Sequence, residues 1–311
     1  MSRSALLRLC VLALIWGNSF LFIKVAIEGL SPAQVVLGRL GAGAAVLAAA
    51  MLARRERPPR RLALWGHLAV MAFVANIVPF FLFAWGEQRI SSGRAGVLNA
   101  TTPLATLLLA LVALPQERPT PAKLGGLGLG FAGVVVLVAP WASGRGAERL
   151  AGQLACLTAA SCYGVAFIYT RRFLGGTGLS PLVLAACQLA TGTVLLGAAA
   201  PLLARHPVTL APRVAAAVLL LGAFGTGVAY ILYYGLVRDA GATSASMVTY
   251  LVPVAAVLLG VVALHEHVTW NLLVGAAVVI AGVALAEGRL RLRRRRAAAP
   301  GGAAAGTGAL R

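Results

Sequence analysis

Residues 103–134 read PLATLLLALVALPQERPTPAKLGGLGLGFAGV, and residues 253–283 read PVAAVLLGVVALHEHVTWNLLVGAAVVIAGV. Each stretch opens on a proline, Pro103 or Pro253, and runs through aliphatics to Val-Ala-Leu. Each then gives a glutamate (Glu117, Glu266), a threonine (Thr120, Thr269) and a glycine (Gly126, Gly275) before closing on Ala-Gly-Val. Matching aliphatics count for little in so apolar a chain. A shared order of Pro, Glu, Thr and Gly with one residue deleted is hard to reach by accident, and it marks an internal duplication.

The repeat extends upstream. Leu30-Ser31-Pro32 returns as Leu179-Ser180-Pro181, Gly86 as Gly235, and Trp16-Gly17 has Tyr163-Gly164 as its counterpart. Two copies of about 150 residues, at 5–141 and 151–287, account for nearly everything before a basic, low-complexity tail at 288–311 that is expected to be disordered and cytoplasmic.

Composition sets the solvent. With 60% hydrophobic residues, 11% charged and a mean hydropathy of +0.88, the chain has too few charges to cover a soluble particle of 311 residues, and it reads as an all-α integral membrane protein. The net charge of +19 does not point to nucleic acid, because the basic residues sit in short loops and the tail, not in a stripe with interleaved aromatics. Cys10, Cys156, Cys162 and Cys187 all fall in apolar runs without zinc-site spacing and read as packing residues.

Apolar segments of bilayer-crossing length fall at 6–25, 34–53, 62–85, 95–114 and 122–141 in the first copy. The second gives 152–169, 181–204, 214–236, 243–264 and 270–287. The first could pass for a secretory signal, but its counterpart lies deep inside the chain, so it reads as a retained helix. With both termini cytoplasmic, 19 Lys and Arg lie on the inner side. Lys24, Arg89, Arg94, Arg145, Arg149, Arg205 and Arg213 lie on the outer side, and Arg39 falls within a span. The positive-inside rule selects that orientation. Five helices per copy is odd, so the second copy enters from the opposite side. The expected architecture is ten transmembrane helices in two inverted five-helix repeats, which is the design of alternating-access carriers.

Trp16-Gly17-Asn18-Ser19-Phe20, the Leu-Ser-Pro and Arg39 that follow, the 103–117 stretch with its Gly-rich helix, and their repeats resemble the EamA family of the drug/metabolite transporter superfamily. The resemblance covers residues 5–287. It implies a ten-helix inner-membrane carrier, often an exporter of amino acids or other small metabolites, with its cavity between the halves. The second copy carries Tyr163 in place of Trp16 and Gln188 in place of Arg39, so the two halves contribute unequally.

Some stretches mimic soluble motifs. Residues 128–133 fit G-x-G-x-x-G but lie inside an apolar span, where Gly126 and Gly130 form a small-xxx-small face for close helix packing. His265-Glu266-His267 lacks the H-E-x-x-H spacing of a metal helix and reads as a loop cap. No cofactor or metal is implied, and the absence of a Walker motif argues against a primary pump. The arginine run at 289–296 reads as a stop-transfer anchor.

Intramembrane polar groups carry more. A central arginine costs about 2.5–3.5 kcal/mol on insertion scales, so Arg39 either snorkels to an interface or carbonyl or meets an anionic substrate group such as a carboxylate. Trp16, Asn18, Asn76, Asn99, Thr102, Tyr163, Gln188, Tyr230, Tyr234, Thr249 and Tyr250 add groups able to line a polar cavity. Pro103 and Pro253 are expected to kink their helices near the midplane, freeing the carbonyls of Asn99 and Thr249. No acidic residue stands out as a central proton relay. The reading is a secondary carrier, an exporter of small amphipathic metabolites and not an enzyme, whose partners are a small solute and the bilayer. The rivals are a membrane enzyme acting on lipid-linked substrates and a non-transporting membrane subunit.

Overall fold

A computed structural model of the chain describes residues 3–114, 117–141, 146–203 and 207–290. The helices are α1 (Arg3–Ala26), α2 (Pro32–Ala53), α3 (Leu62–Glu87), α4 (Ser92–Ala113) and α5 (Pro121–Val138), then α6 (Gly146–Leu174), α7 (Pro181–Leu203), α8 (Pro212–Ala240), α9 (Val248–Leu264) and α10 (Trp270–Ala286). Among the described residues, α1 to α8 are long and apolar enough to cross a bilayer, and α9 and α10 are shorter apolar helices. This is a multi-pass membrane protein. Large apolar side chains such as Val112, Phe167 and Leu219 point outward, where acyl chains solvate them. Most of the basic tail, from residue 291 on, lies outside the described residues.

The helix starts follow from local chemistry. Proline opens α2, α5, α7 and α8, at a position where its missing N–H costs nothing. Ser31 and Gln34 close a capping box on α2, Ser91 caps α4 and Thr120 caps α5.

Five of the helices depart from simple spans. A π-helical turn interrupts α3 at Phe73–Ile77 and α8 at Ala223–Val228, the third helix of each copy; α6 ends in another at Thr170–Leu174. α4 is broken at Ala100–Thr101, just before Pro103. The expected span 243–264 likewise begins as a one-turn helix, Ala242–Ala245, with the turn Ser246–Met247 separating it from α9. The two prolines therefore differ: Pro103 sits in the first turn of a new helical segment, whereas Pro253 lies inside α9.

The last helices of the two copies, α5 and α10, pack on each other and run antiparallel. On α5 and α10, Gly126 faces Ala286, Gly130 faces Gly282, Gly133 faces Val279 and Leu137 faces Gly275. A Cβ on Gly282 would stand 2.5 Å from the Gly130 nitrogen, so only glycine permits the approach. Other contacts are reciprocal. Gly17 of α1 packs on Ala255 and Ala256 of α9, and its counterpart Gly164 of α6 packs on Thr106 of α4.

Candidate functional site

The starts of α1 and α7 and the ends of α2 and α8 meet at one end of the bundle around a cavity of about 430 Å³ lined by Arg8, Arg54, Ser180, Tyr234 and Arg238, among others. That volume suits a small metabolite. Asp239 pairs with Arg8 and Arg238 at the rim, and Ser180 donates to Glu56.

Tyr234 leads inward. Its ring lies 6.0 Å from Tyr230 and 5.8 Å from Tyr233, and Tyr233 lies 5.6 Å from Trp16. Beyond these tyrosines stand two equivalent polar pairs. Arg39 on α2 is buried, and its Nε donates to Thr226 Oγ1 at 2.9 Å on the π turn of α8. Gln188 on α7, the counterpart of Arg39, donates to Asn76 Oδ1 on the π turn of α3. The extra residue in each π turn lets one polar side chain per copy point across to the second helix of the other copy. One pair is cationic and the other neutral.

Arg39 also lays its guanidinium 3.6 Å over the Phe80 ring. Among the described residues, no ion pair includes Arg39. It is a buried cation held by a ring and a hydroxyl, with Tyr163, Tyr230 and Glu87 within electrostatic reach. Asn76 Nδ2 closes no hydrogen bond of normal geometry, although Tyr230 is close enough to interact. Tyr163 stacks on Phe83 at 6.3 Å.

The sequence-selected residues thus divide. Tyr234 lines the cavity; Tyr230 lies against it and is within reach of Arg39 and Asn76, Asn76 bonds Gln188, Tyr163 is within electrostatic reach of Arg39, and Trp16 is joined through Tyr233. Asn18 is half-buried on α1. Asn99 and Thr102 flank the break in α4, where the Thr102 hydroxyl donates to the Asn99 carbonyl at 2.8 Å, so that carbonyl already has a partner. Thr249 lies in the first turn of α9. Tyr250 packs near Leu104 and Val283 and donates to Glu287 at 2.8 Å, away from the Arg39 group. Phe80, Thr226 and Tyr233 were missed. A Phe one helix face away from an arginine carries no signal until the pairing of α2 with α3 is known.

The opposite end is shut. Glu266 accepts the Ser92 and Gly93 N–H groups at 2.6 and 3.0 Å, and Ser91 Oγ accepts that of Arg94, so the first three amides of α4 are all satisfied. Lys24 Nζ donates to the carbonyls of Glu87 and Ile90. Arg94 donates to the Leu137 carbonyl at 2.7 Å. Gly86 packs on Cys156 and Gly152, joining α3 to α6. The His265-Glu266-His267 triplet is placed here by its central residue, and no group of three metal-ligating side chains occurs among the described residues.

A helical membrane bundle with a solute-sized vestibule at one end and a sealed opposite end has the form of a membrane transporter. The chain belongs to the EamA-like transporter family, whose model matches residues 3–139 and again 150–287. Among its relatives is a "Probable terminal-alkyne amino-acid exporter" of Streptantibioticus cattleyicolor, 30% identical over 92% of this chain and 94% of that one. An "Uncharacterized inner membrane transporter YedA" of Escherichia coli (strain K12) is 28% identical over 81% of this chain and 80% of its own. A solved structure titled "Crystal structure of protein" superposes with a TM-score of 0.64 at 24% identity, covering 92% of this chain and 97% of that one, which shows a shared fold.

Proposed function

We propose that this chain is a secondary carrier that exports small amphipathic metabolites of the amino-acid kind by alternating access between two inverted five-helix repeats, residues 5–141 and 151–287. The observation that carries the reading is the vestibule: it opens between Arg8, Arg54 and Arg238 and reaches Tyr234, which lies against Tyr230, while the opposite end of the bundle is held by the Glu266 cap on α4. The antiparallel pairing of α5 with α10 and the reciprocal Arg39–Thr226 and Gln188–Asn76 contacts support the inverted relation. By the positive-inside rule the arginine-rich vestibule and both termini face the cytoplasm, so the conformation is inward-open.

In this reading Arg39 receives the carboxylate of the solute, with the tyrosines and Asn76 providing apolar faces and hydrogen-bonding groups for the rest. Gln188 occupies the equivalent place without charge, so one carboxylate is bound on one side of the site. Entry of solute would exclude water around Arg39, and repacking of the glycine-rich contacts would then open the opposite end. The exporter name of the relative at 30% identity supports the solute class. The test is flux of a labelled amino-acid panel in proteoliposomes of the purified full chain. Saturable exchange of at least one member, lost in Arg39→Gln, is expected; no exchange of any amphipathic carboxylate overturns the assignment.

A further inference from the structure

We propose that Glu87 is the proton-binding site of this carrier, and that the carboxylate takes up one proton each time its end of the bundle closes. The inference rests on the carrier reading and adds a proton-dependent latch at the sealed end to it.

Glu87 ends α3 on the sealed side, opposite the vestibule. Its side chain is fully buried, and neither carboxylate oxygen has a hydrogen-bond partner. An ionised carboxylate left dry and unpaired costs several kcal/mol. The two nearby cations are engaged elsewhere. Lys24 of α1 spends its ammonium on the backbone carbonyls of Glu87 and Ile90, and Arg39 of α2 is held by Thr226 and Phe80. The other titratable groups facing it are the Cys156 thiol of α6 and Glu266 in the α9–α10 connection, whose negative charge disfavours a second one nearby. The state that fits this pocket is the neutral acid.

The neighbourhood shows why the proton is bound only on closure. Ser92 Oγ and Gln153 Nε2 at the same end are also buried without partners. Four orphaned polar atoms in one sealed region are atoms that an open, water-filled end would hydrate. When this end opens, water solvates the carboxylate and the O–H bond breaks, with the proton passing to water. When it shuts, one proton from that water forms the O–H bond again, and no other reactant is needed. Acid on this side therefore favours closure, and the proton acts as a latch on this end of the bundle.

Two measurements test this without any solute. The first is the infrared spectrum of the purified chain at neutral pH, where the C=O stretch of a buried protonated carboxylic acid should be present in the wild type and missing in Glu87→Gln. The second uses Cys156, which is fully buried at this end, as the reporter thiol in a chain with Cys10, Cys162 and Cys187 replaced by Ala. Its reaction with a polar thiol reagent, taken as the ratio of wild type to Glu87→Gln at each pH, cancels the ordinary rise of thiolate. One-proton linkage makes that ratio climb about tenfold per pH unit once Glu87 titrates. A wild type without the carboxylic-acid band, or a ratio flat across pH, overturns the proposal. Should Glu87→Gln fail to fold, titration of the wild-type band with pH decides alone, and a band already absent at neutral pH sinks the idea. Failure of every labelled solute to move would refute the carrier reading while these two readouts still judge Glu87.

Discussion

Removing the Glu266 carboxylate should unlock the sealed end. Glu266 accepts two backbone N–H groups at the start of α4, at 2.6 and 3.0 Å. Hydrogen bonds to a charged partner contribute about 1.5–3 kcal/mol, and loss of a helix cap costs about 0.5–2 kcal/mol. The freed amides regain water once the end opens, so Glu266→Ala should shift the closed-to-open equilibrium by about 2 kcal/mol, close to thirtyfold. Glu266→Gln keeps one acceptor oxygen and should give a smaller shift in the same direction. The Cys156 reporter reads this directly, because that thiol is buried only while α3 and α6 stay packed. In the alanine variant its modification should be faster by that factor, with the thermal unfolding midpoint in detergent little changed. Equal modification rates in wild type and both variants would show that the cap does not hold this end shut.

Three further outcomes follow from the packing. Gly282→Leu forces side-chain atoms into the Gly130 backbone and should destabilise the chain by at least the 1–3 kcal/mol typical of overpacking; thermal unfolding in detergent checks it, and Gly128→Ala, which meets open space, is the neutral control. Arg39→Gln should abolish carboxylate exchange at unchanged membrane level, and Arg39→Lys should fall well short of full activity because an ammonium cannot keep both the Thr226 bond and the flat stack on Phe80; solute exchange normalised to membrane protein measures both. Glu117 is held below the usual carboxylate range, first by the hydrogen bond from Lys123 and then by Arg171. A depressed folded pKa means its contribution is present above the unfolded value of about 4.3 and is lost as pH falls through the lower folded one. The stability gap between wild type and Glu117→Gln, under about 1 kcal/mol for so open a group, should therefore close in acid; a gap that widens there refutes the assignment.

The helices were legible because a bilayer leaves the backbone few alternatives, and the repeat was legible because Pro and Glu are sparse enough in this chain for their shared order with Thr and Gly to align. Arg39 stood out as a charge in an apolar run. Its partners did not: Thr226 is 187 residues away and sits on a π turn, and no propensity marks where an extra residue enters a helix. Asn76 and Gln188 were selected separately, without sign that they bond each other as Arg39 and Thr226 do. Glu87 was passed over for the opposite reason. Its place at a helix end looked solvated, and only the packing of α3 against α6, with Gly86 on Cys156, reveals that it is dry. Tyr250 looked like a cavity residue beside Pro253, yet the turn at Ser246–Met247 resets α9 and directs that hydroxyl to Glu287.

The contact between α5 and α10 also bears on how a duplicated gene ages. Where each copy faces different neighbours, its residues drift independently, as Trp16 and Tyr163 have done. At α5 and α10 each copy is the other's neighbour: Gly126 against Ala286 mirrors Gly275 against Leu137, and Gly130 against Gly282 mirrors Gly133 against Val279. A bulky change on either helix is felt by its own twin, so each facing pair keeps at least one glycine. The stretch in which the ancient duplication is easiest to read includes the place where the two descendants approach backbone to backbone.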